Sequence, residues 1–366
     1  MNSHLTRRNL IKTAAVAAWM ARSKPEASAL AEESRDAPKI CLEIRSNFEA
    51  GGPDEETMRR VRQLGVEFVL SEGPRIPWGE GQIRALMDRL KAGGLTLGNL
   101  MIGGFPNTLY GRPGRDEEID KVCQSIRAAG RAGLPVVEYN FYAHRLVEGY
   151  YEVKGRAGAG LTAFDYKRVK DLPPLPAEGA HTLDEMWSNV TYFLKAVVPV
   201  AEESGVRLAL HPNDPPAPVS RGSGQIMGTL AGWKRLVDIV PSKSNGITFD
   251  CGVTKELGED PVEVCRYFGD RDCINHVHFR NVRVEVPREK YTEVFLDEGQ
   301  VDMFAVMKEL VRQRYPRMVF PEHPRGLDAD RDVPGFRSGY PGGGGYTGYA
   351  YNVGYTRAML QAALAT

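Results

Sequence analysis

Several features that define whole classes of protein are absent from this sequence. No apolar run reaches the ~18–20 residues that span a bilayer, so no membrane span is predicted. The 47 basic residues are balanced by 47 acidic residues, which gives no sign of a nucleic acid partner. The five cysteines form no CxxC pair, and a chain of 366 residues with so few cysteines is not held by a disulfide framework. No G-x-G-x-x-G follows the first predicted strand, so a nicotinamide cofactor is not predicted.

The first thirty residues have the pattern of a targeting segment rather than of a folded element. Arg7 and Arg8 stand in T-R-R-N-L-I-K, which resembles a twin-arginine export signal. The apolar stretch 13–21 follows, and the tripeptide A-S-A at 27–29 offers a small-residue cleavage site. We therefore expect residues 1–29 to be an export signal and the protein to be periplasmic, or cytoplasmic if the signal is not functional.

From residue 39 onward the sequence alternates short apolar runs with longer amphipathic segments. The chain is 42% apolar and 26% charged, which is ordinary for a globular protein. Strands are predicted for the apolar runs 39–44, 66–70, 95–102, 134–141, 206–211, 246–250, 274–279 and 317–322. Helices are predicted for the amphipathic segments 54–64, 80–92, 116–132, 183–204, 232–239, 260–268, 301–314 and 355–363.

Eight strands that alternate with helices indicate an α/β fold, and we predict a single (β/α)8 TIM barrel over residues 39–366. An open, doubly wound parallel sheet is the alternative. Two long stretches, near 148–179 and 326–345, are rich in Gly, Ala or Pro and are expected to be loops. Long loops of a compact barrel usually belong to its active-site face, so both are predicted to lie there.

Four potential metal ligands stand where the late strands of this barrel end. They are His211, Asp250, His278 and Glu322, at the ends of the fifth to eighth predicted strands. Because the C-terminal ends of barrel strands converge on one mouth, the four side chains are expected to meet around one point. Two imidazoles and two carboxylates suit a divalent ion such as Mn²⁺, Fe²⁺, Co²⁺ or Zn²⁺. Cys251, next to Asp250, could ligate in its place or could be a buried apolar residue.

Longer motifs surround these four residues. H-P-N-D-P-P begins at His211, S-N-G-I-T-F-D-C-G includes Asp250, and H-V-H-F-R-N-V includes His278. With Y-N-F in the fourth strand and F-L-D-E-G-Q-V-D-M at 295–303, they resemble the mannonate dehydratase family over most of residues 39–363. The resemblance implies a xylose-isomerase-like barrel that uses Mn²⁺ or Fe²⁺ to remove water from D-mannonate, giving 2-keto-3-deoxy-D-gluconate.

The same resemblance assigns the metal ligands one by one. The family's two ligand histidines correspond to His211 and His278. Its ligand cysteine corresponds to Asp250, with Cys251 one place later, and its ligand aspartate corresponds to Glu322 within F-P-E-H-P. These two departures keep ligand-type side chains but make the site harder and richer in oxygen.

The reaction also needs a base that takes the C2 proton and an acid that protonates the leaving C3 hydroxyl. The Gly-rich segment 341–348 is expected to be a lid, and the resemblance places the family's catalytic tyrosine on Tyr346. Tyr346 and His323 are the candidates for the acid and the base, in unassigned order. Arg280 and Arg145 are expected to hold the substrate carboxylate. The residues expected to bond its hydroxyl groups are Asn281, Asn140 and Asp214.

Three functions are compatible with these residues. They are a metal-dependent sugar-acid dehydratase, a metal-dependent sugar isomerase or epimerase of the same barrel superfamily, and a non-catalytic barrel that binds carbohydrate. The four ligand-type residues argue against the third. An arginine pair suited to a carboxylate favours a small-molecule sugar acid, most simply D-mannonate, over a neutral sugar. The sequence leaves a homo-oligomer open.

Overall fold

The computed structural model describes residues 36–366, so the predicted export signal lies outside the described residues. The strands are, in chain order, β1 (Lys39–Glu43), β2 (Phe68–Glu72), β3 (Thr96–Ile102), β4 (Val136–Tyr139), β5 (Tyr150–Lys154), β6 (Gly160–Asp165), β7 (Arg207–Leu210), β8 (Val219–Ser220), β9 (Ser223–Gly224), β10 (Asn245–Asp250), β11 (Ile274–His278), β12 (Asn281–Val286), β13 (Lys290–Val294) and β14 (Met318–Phe320). The α-helices are α1 (Glu55–Gln63), α2 (Glu80–Ala92), α3 (Pro106–Tyr110), α4 (Arg115–Ala132), α5 (Leu183–Glu203), α6 (Leu230–Ile239), α7 (Cys251–Glu256), α8 (Pro261–Gly269), α9 (Met303–Arg312), α10 (Asp328–Arg331) and α11 (Tyr346–Leu364).

Eight of these strands form a closed parallel barrel. Their order around the barrel is β1-β14-β11-β10-β7-β4-β3-β2, and β1 pairs with β14, Lys39 opposite Met318, to close it. All eight predicted strands are present, so the (β/α)8 barrel is confirmed and the open doubly wound sheet is wrong. One cluster of buried apolar side chains joins the barrel to its helices. Within residues 36–366, no helix is both long and apolar enough to cross a membrane.

The C-terminal helix α11 is longer than the sequence predicts, because it begins at Tyr346 rather than near residue 355. Its first turn is capped from a distance. The carboxylate of the buried Asp330 accepts the N–H groups of Gly345, Thr347 and Gly348 at 2.7–2.9 Å. Because the capping residue is not adjacent to the helix, the sequence just before α11 contains no N-cap motif that would predict where the helix begins.

A second, antiparallel sheet lies at the mouth of the barrel, and we call it the cap sheet. Its strand order is β12-β13-β6-β5. The stretch 148–179, expected to be a loop, contributes β5 and β6, while β12 and β13 continue directly from β11. The stretch 326–345 contains α10 and joins the cap sheet through backbone hydrogen bonds between Gly160 and Gly326. The cap sheet has its own small core, formed by Leu146, Tyr150, Phe164, Val169, Ala217 and Tyr291.

Candidate metal centre and active site

Four neighbouring barrel strands, β7, β10, β11 and β14, bring four potential metal ligands together at their C-terminal ends. One ligand atom from each of His211, Asp250, His278 and Glu322 lies within 4.8 Å of the others. Nε2 of His211 is 3.0 Å from Nδ1 of His278. Nδ1 of His278 is also 3.0 Å from Oε2 of Glu322. The structure thus places these four residues around one point, at the mouth of the barrel.

The donor set of this cluster fits a divalent cation. Two imidazoles and two carboxylates on buried or half-buried side chains are ligands that Mn²⁺, Fe²⁺, Co²⁺ and Zn²⁺ accept. The buried Oε1 of Glu322 has no hydrogen-bond partner among the described residues, although Nε of Arg280 is 3.2 Å away. Because buried polar atoms are normally satisfied, this oxygen is suited to a further positive partner.

The charges within the cluster shift the pKa values of its members in different directions. Burial favours a neutral ring, but the carboxylates of Glu322 and Glu138 outweigh burial and raise the pKa of His278 to about 9. Burial and the neighbouring His278 lower the pKa of His211 to about 3. Burial raises the pKa of Asp250 to about 6, against the opposing charge of Arg280. His278 therefore holds a proton that a bound cation would displace.

Asp250, rather than Cys251, is the side chain that reaches the cluster. Oδ1 of Asp250 accepts the N–H of Val253 at 2.8 Å and thereby caps α7. Sγ of Cys251 points instead toward two backbone carbonyls, those of His278 at 3.5 Å and Arg280 at 3.3 Å. Burial raises the pKa of the Cys251 thiol, which disfavours the thiolate that a metal ligand must provide. The structure therefore does not support Cys251 as the alternative ligand.

Beneath His278, two further polar residues that the sequence analysis did not select lie inside the barrel. Oε1 of Glu138 is 3.5 Å from Nε2 of His278 and accepts the hydroxyl of Thr248 at 2.7 Å. His276 is completely buried, and its ring lies 5.1 Å from that of His278. Ligand atoms of Glu138, His276 and His278 also lie within 4.8 Å of one another. A single charged residue in the apolar strand V-V-E-Y was the signal that could have identified Glu138.

Arg280 is enclosed by carboxylates and is not presented to a ligand. Its side chain is 2% exposed, and it donates to Asp250 at 3.0 Å and to Glu256 at 2.6 Å. Carboxylate oxygens at 3.2, 3.3 and 3.7 Å belong to Glu322, Asp214 and Glu293. The expected contact of Arg280 with a substrate carboxylate is therefore not supported, because its guanidinium neutralises this buried acidic group.

Asp214 and Asn281 are also engaged by the protein itself. Oδ1 of Asp214 accepts the hydroxyl of Tyr150 at 2.8 Å, and Oδ2 accepts Arg145 at 3.1 Å. The amide group of Asn281 makes four hydrogen bonds with backbone groups, which fix the start of β12. The structure thus gives both residues a positioning role and does not support the expected contacts with substrate hydroxyl groups.

Arg145 and Asn140 are the expected substrate-binding residues that stay partly exposed. The side chain of Arg145 is 30% exposed, and its guanidinium lies 5.3 Å from the ring centroid of Tyr340. Asn140 is half-buried directly after β4, where Nδ2 lies 3.7 Å from Sδ of Met101, a weak acceptor. Of the five residues expected to bind the substrate, Arg145 and Asn140 are therefore the best placed to contact its carboxylate and a hydroxyl group.

Tyr346 is not brought to the cluster. Its hydroxyl donates to the carbonyl of Arg60 at 2.9 Å, and the Arg60 guanidinium lies 4.6 Å from its ring centroid, which fixes Tyr346 against α1. Tyr340 lies beside His323 instead, with its ring centroid 4.5 Å from that of His323. Burial raises the pKa of Tyr340 to about 12. The G-Y pair occurs at both positions, so the sequence pattern alone does not separate Tyr340 from Tyr346.

His323 lies next to Glu322, between the cluster and the cap sheet. Nδ1 is 2.9 Å from Oε2 of Glu293, and Nε2 is 3.4 Å from Oε2 of Glu322. Burial acts to lower the pKa of His323, but these two carboxylates outweigh burial and raise it. Sequence reasoning missed Glu293, because only the pairing of the cap sheet brings it to this position.

The chain is similar to proteins of one enzyme family. A family model described as D-mannonate dehydratase (UxuA) matches residues 179–365. The mannonate dehydratase of Thermotoga petrophila is 31% identical over 326 residues, which cover 77% of this chain and 89% of that protein. The mannonate dehydratase of Oceanobacillus iheyensis is 28% identical over 318 residues, which cover 78% of this chain and 90% of that protein.

Solved structures give the same picture of the fold. The crystal structure of mannonate dehydratase from Streptococcus suis serotype 2 has a TM-score of 0.78 and 25% identity, covering 90% of this chain and 95% of that chain. A xylose isomerase domain protein from Planctomyces limnophilus has a TM-score of 0.57 and 13% identity, covering 90% of this chain and 100% of that chain. The second similarity concerns the fold alone and confirms the expected xylose-isomerase-like barrel.

Proposed function

Because this chain belongs to the mannonate dehydratase family, we propose that it converts D-mannonate to 2-keto-3-deoxy-D-gluconate and water. It is a hydro-lyase, since that is the reaction class of the family. The observation that carries the proposal is the convergence of His211, Asp250, His278 and Glu322, whose ligand atoms lie within 4.8 Å of one another. A barrel that only binds carbohydrate would have no need of such a buried ligand set.

The side chains at the mouth divide between binding and proton transfer. Arg145 and Asn140 would hold the carboxylate and a hydroxyl group of the sugar acid. A bound divalent ion supplies a Lewis acid that stabilises the negative charge formed as C2 loses its proton. His323 and Tyr340 would take the C2 proton and give a proton to the C3 hydroxyl, which leaves as water. The enol that remains becomes the 2-keto acid by moving its hydroxyl proton to C3.

We infer that the ion is Mn²⁺ or Fe²⁺. The pairing of two histidines with two carboxylates supports this choice, because hard oxygen ligands favour Mn²⁺ while imidazole also suits Fe²⁺. The resemblance places Asp250 at the position of the family's ligand cysteine, and this exchange would make the site harder. The same departure supports the second candidate, an isomerase or epimerase that would return the proton to a neutral sugar.

The test is an add-back assay on chelator-stripped protein with D-mannonate, following the 2-keto-3-deoxy acid with Mn²⁺, Fe²⁺, Co²⁺ or Mg²⁺. We expect product only with an added ion, and none from His211→Ala or Glu322→Ala. Failure to form a keto acid from D-mannonate or from a panel of aldonates would contradict the dehydratase. Exchange of solvent deuterium into neutral sugars would then support the epimerase.

Two tyrosine variants give a matched comparison within the same assay. Tyr340→Phe is expected to lower kcat by roughly 10²-fold or more, because it removes a proton donor or acceptor beside His323. Tyr346→Phe makes the same change on the outer side of the barrel and is expected to leave kcat close to that of the wild type. A large loss in Tyr346→Phe alone would overturn the assignment of Tyr340.

A further inference from the structure

Glu293 is a buried carboxylate that comes from the cap sheet and not from a barrel strand. It lies on β13 of the cap sheet and is 1% exposed. Its Oε2 is 2.9 Å from Nδ1 of His323 and accepts Nη2 of Arg325 at 2.8 Å. Because a buried carboxylate is stable only with such partners, this side chain is fixed between the imidazole and the guanidinium.

The register of the cap sheet sets the position of Glu293. Glu293 lies opposite Thr162 of β6. Arg325 connects the two strands, since its Nη1 donates to the hydroxyl of Thr162 at 2.9 Å while its Nη2 holds Glu293. A slip of one residue along β13 would turn Glu293 to the other face of the sheet. Three distant segments of the chain therefore cooperate to place one carboxylate beside His323.

The backbone and ring of His323 are both held in a defined position. Its φ of +47° lies in the left-handed region, which residues other than glycine adopt uncommonly. The ring stands between two carboxylates, with Nδ1 toward Glu293 and Nε2 3.4 Å from Oε2 of Glu322. With Nδ1 engaged by Glu293, Nε2 is the ring nitrogen that faces Glu322 of the cluster.

We propose that Glu293 is a positioning residue for proton transfer by His323, so that the cap sheet is part of the catalytic machinery. This inference rests on the proposed function. The carboxylate at Nδ1 fixes the orientation of the ring, so that Nε2 stays directed toward Glu322 and the cluster. Arg325 acts one step further away, by holding the carboxylate in place.

The central test is Glu293→Gln, which keeps the volume of the side chain and removes its charge. We expect kcat for keto-acid formation to fall about 10–10²-fold, with KM and the Mn²⁺ affinity from calorimetry within about twofold of the wild type. The matched control is Glu285→Gln, the same change at an exposed position of β12, which should leave kcat unchanged. An unchanged kcat in Glu293→Gln overturns the proposal.

A double-variant cycle separates positioning from a structural role. In a His323→Asn background, Glu293→Gln should have almost no further effect, because the two residues act as a unit. The same fold-loss in both backgrounds overturns the proposal. If Glu293→Gln does not fold, Glu293→Asp is the second variant, because it keeps the charge but moves it away from His323. We expect Glu293→Asp to lose part of kcat. Full activity in Glu293→Asp also overturns the proposal.

If the wild type forms no keto acid, the proposed function fails, and the contact is tested without activity. The readout is then ¹⁵N NMR of protein labelled at histidine. A shifted Nδ1 resonance of His323 in Glu293→Gln, but not in Glu285→Gln, supports the contact, whereas an unshifted resonance overturns it.

Discussion

Asp250 shows how one carboxylate serves the scaffold and the candidate site together. Oδ1 caps α7 through the N–H of Val253, and Oδ2 lies 3.0 Å from Nε of Arg280. These two contacts fix the carboxylate beside His278. Burial nevertheless raises the pKa of Asp250 to about 6, so the ion pair does not fully offset the loss of solvation. The ligand side chains are therefore held in place before a cation binds, and protons compete with the cation for these side chains.

Cation binding is accordingly expected to release protons. The pKa of His278 is raised to about 9, so below that pH the ring is protonated and must lose its proton before it can ligate. At pH 7.5 about one proton should leave per ion bound. Affinity should therefore fall as the pH drops below 9, and fall more steeply below about 6, where Asp250 is protonated as well. Calorimetric titration with Mn²⁺ in two buffers of different ionisation enthalpy measures this, and identical heats would contradict it.

At the scale of elements, the helices and strands that could be predicted are those defined by a pattern within their own sequence. The helix over 80–92 agrees with α2 because an amphipathic pattern defines it. The first turn of α11 could not be predicted, since its cap, Asp330, is supplied from another segment. The strands β5 and β6 were missed for a related reason. They form strands by pairing with distant or newly formed partners: β6 pairs with β13, and β5 pairs with β6.

The distant cap of α11 leads to a stability prediction. Asp330→Ala removes the acceptor of three backbone N–H groups and is expected to lower the free energy of unfolding by about 2 kcal/mol. Asp328→Ala is the matched control, because Asp328 is an exposed aspartate on the same short helix and should change stability by less than about 0.5 kcal/mol. Urea denaturation of both variants measures the difference. Equal effects would show that the cap contributes nothing.

At the scale of the whole molecule, barrel closure explains which site residues the sequence could identify. His278 and Glu322 stand at strand ends, and a closed barrel places strand ends at one mouth. Arg280 also follows a barrel strand, but its enclosure depends on carboxylates from other segments that no pattern connects to it. The choice between Tyr340 and Tyr346 depends likewise on how the segment before α11 folds back onto the cap sheet.

The state of the cysteines is relevant to the cellular compartment of the protein. All five are buried and unpaired in the structure. Burial raises the thiol pKa of Cys41 and Cys265, which keeps them away from the reactive thiolate form. A protein with these thiols is suited to an oxidising compartment if it arrives there already folded, and twin-arginine export carries folded protein. The buried thiols are compatible with export, and on the arginine pair Arg7 and Arg8 we propose that residues 1–29 direct export of the folded chain to the periplasm.

Export is tested by replacing the arginine pair. The full chain with a C-terminal tag is expected in the periplasmic fraction, shortened by about the length of the signal. Arg7→Lys combined with Arg8→Lys should keep it in the cytoplasm at full length, because the export machinery reads the arginine pair itself. Arg22→Lys makes the same exchange outside the pair and should leave export intact. A wild-type protein found only in the cytoplasm with its N-terminus intact would contradict the proposal and would place the reaction among cytoplasmic sugar acids.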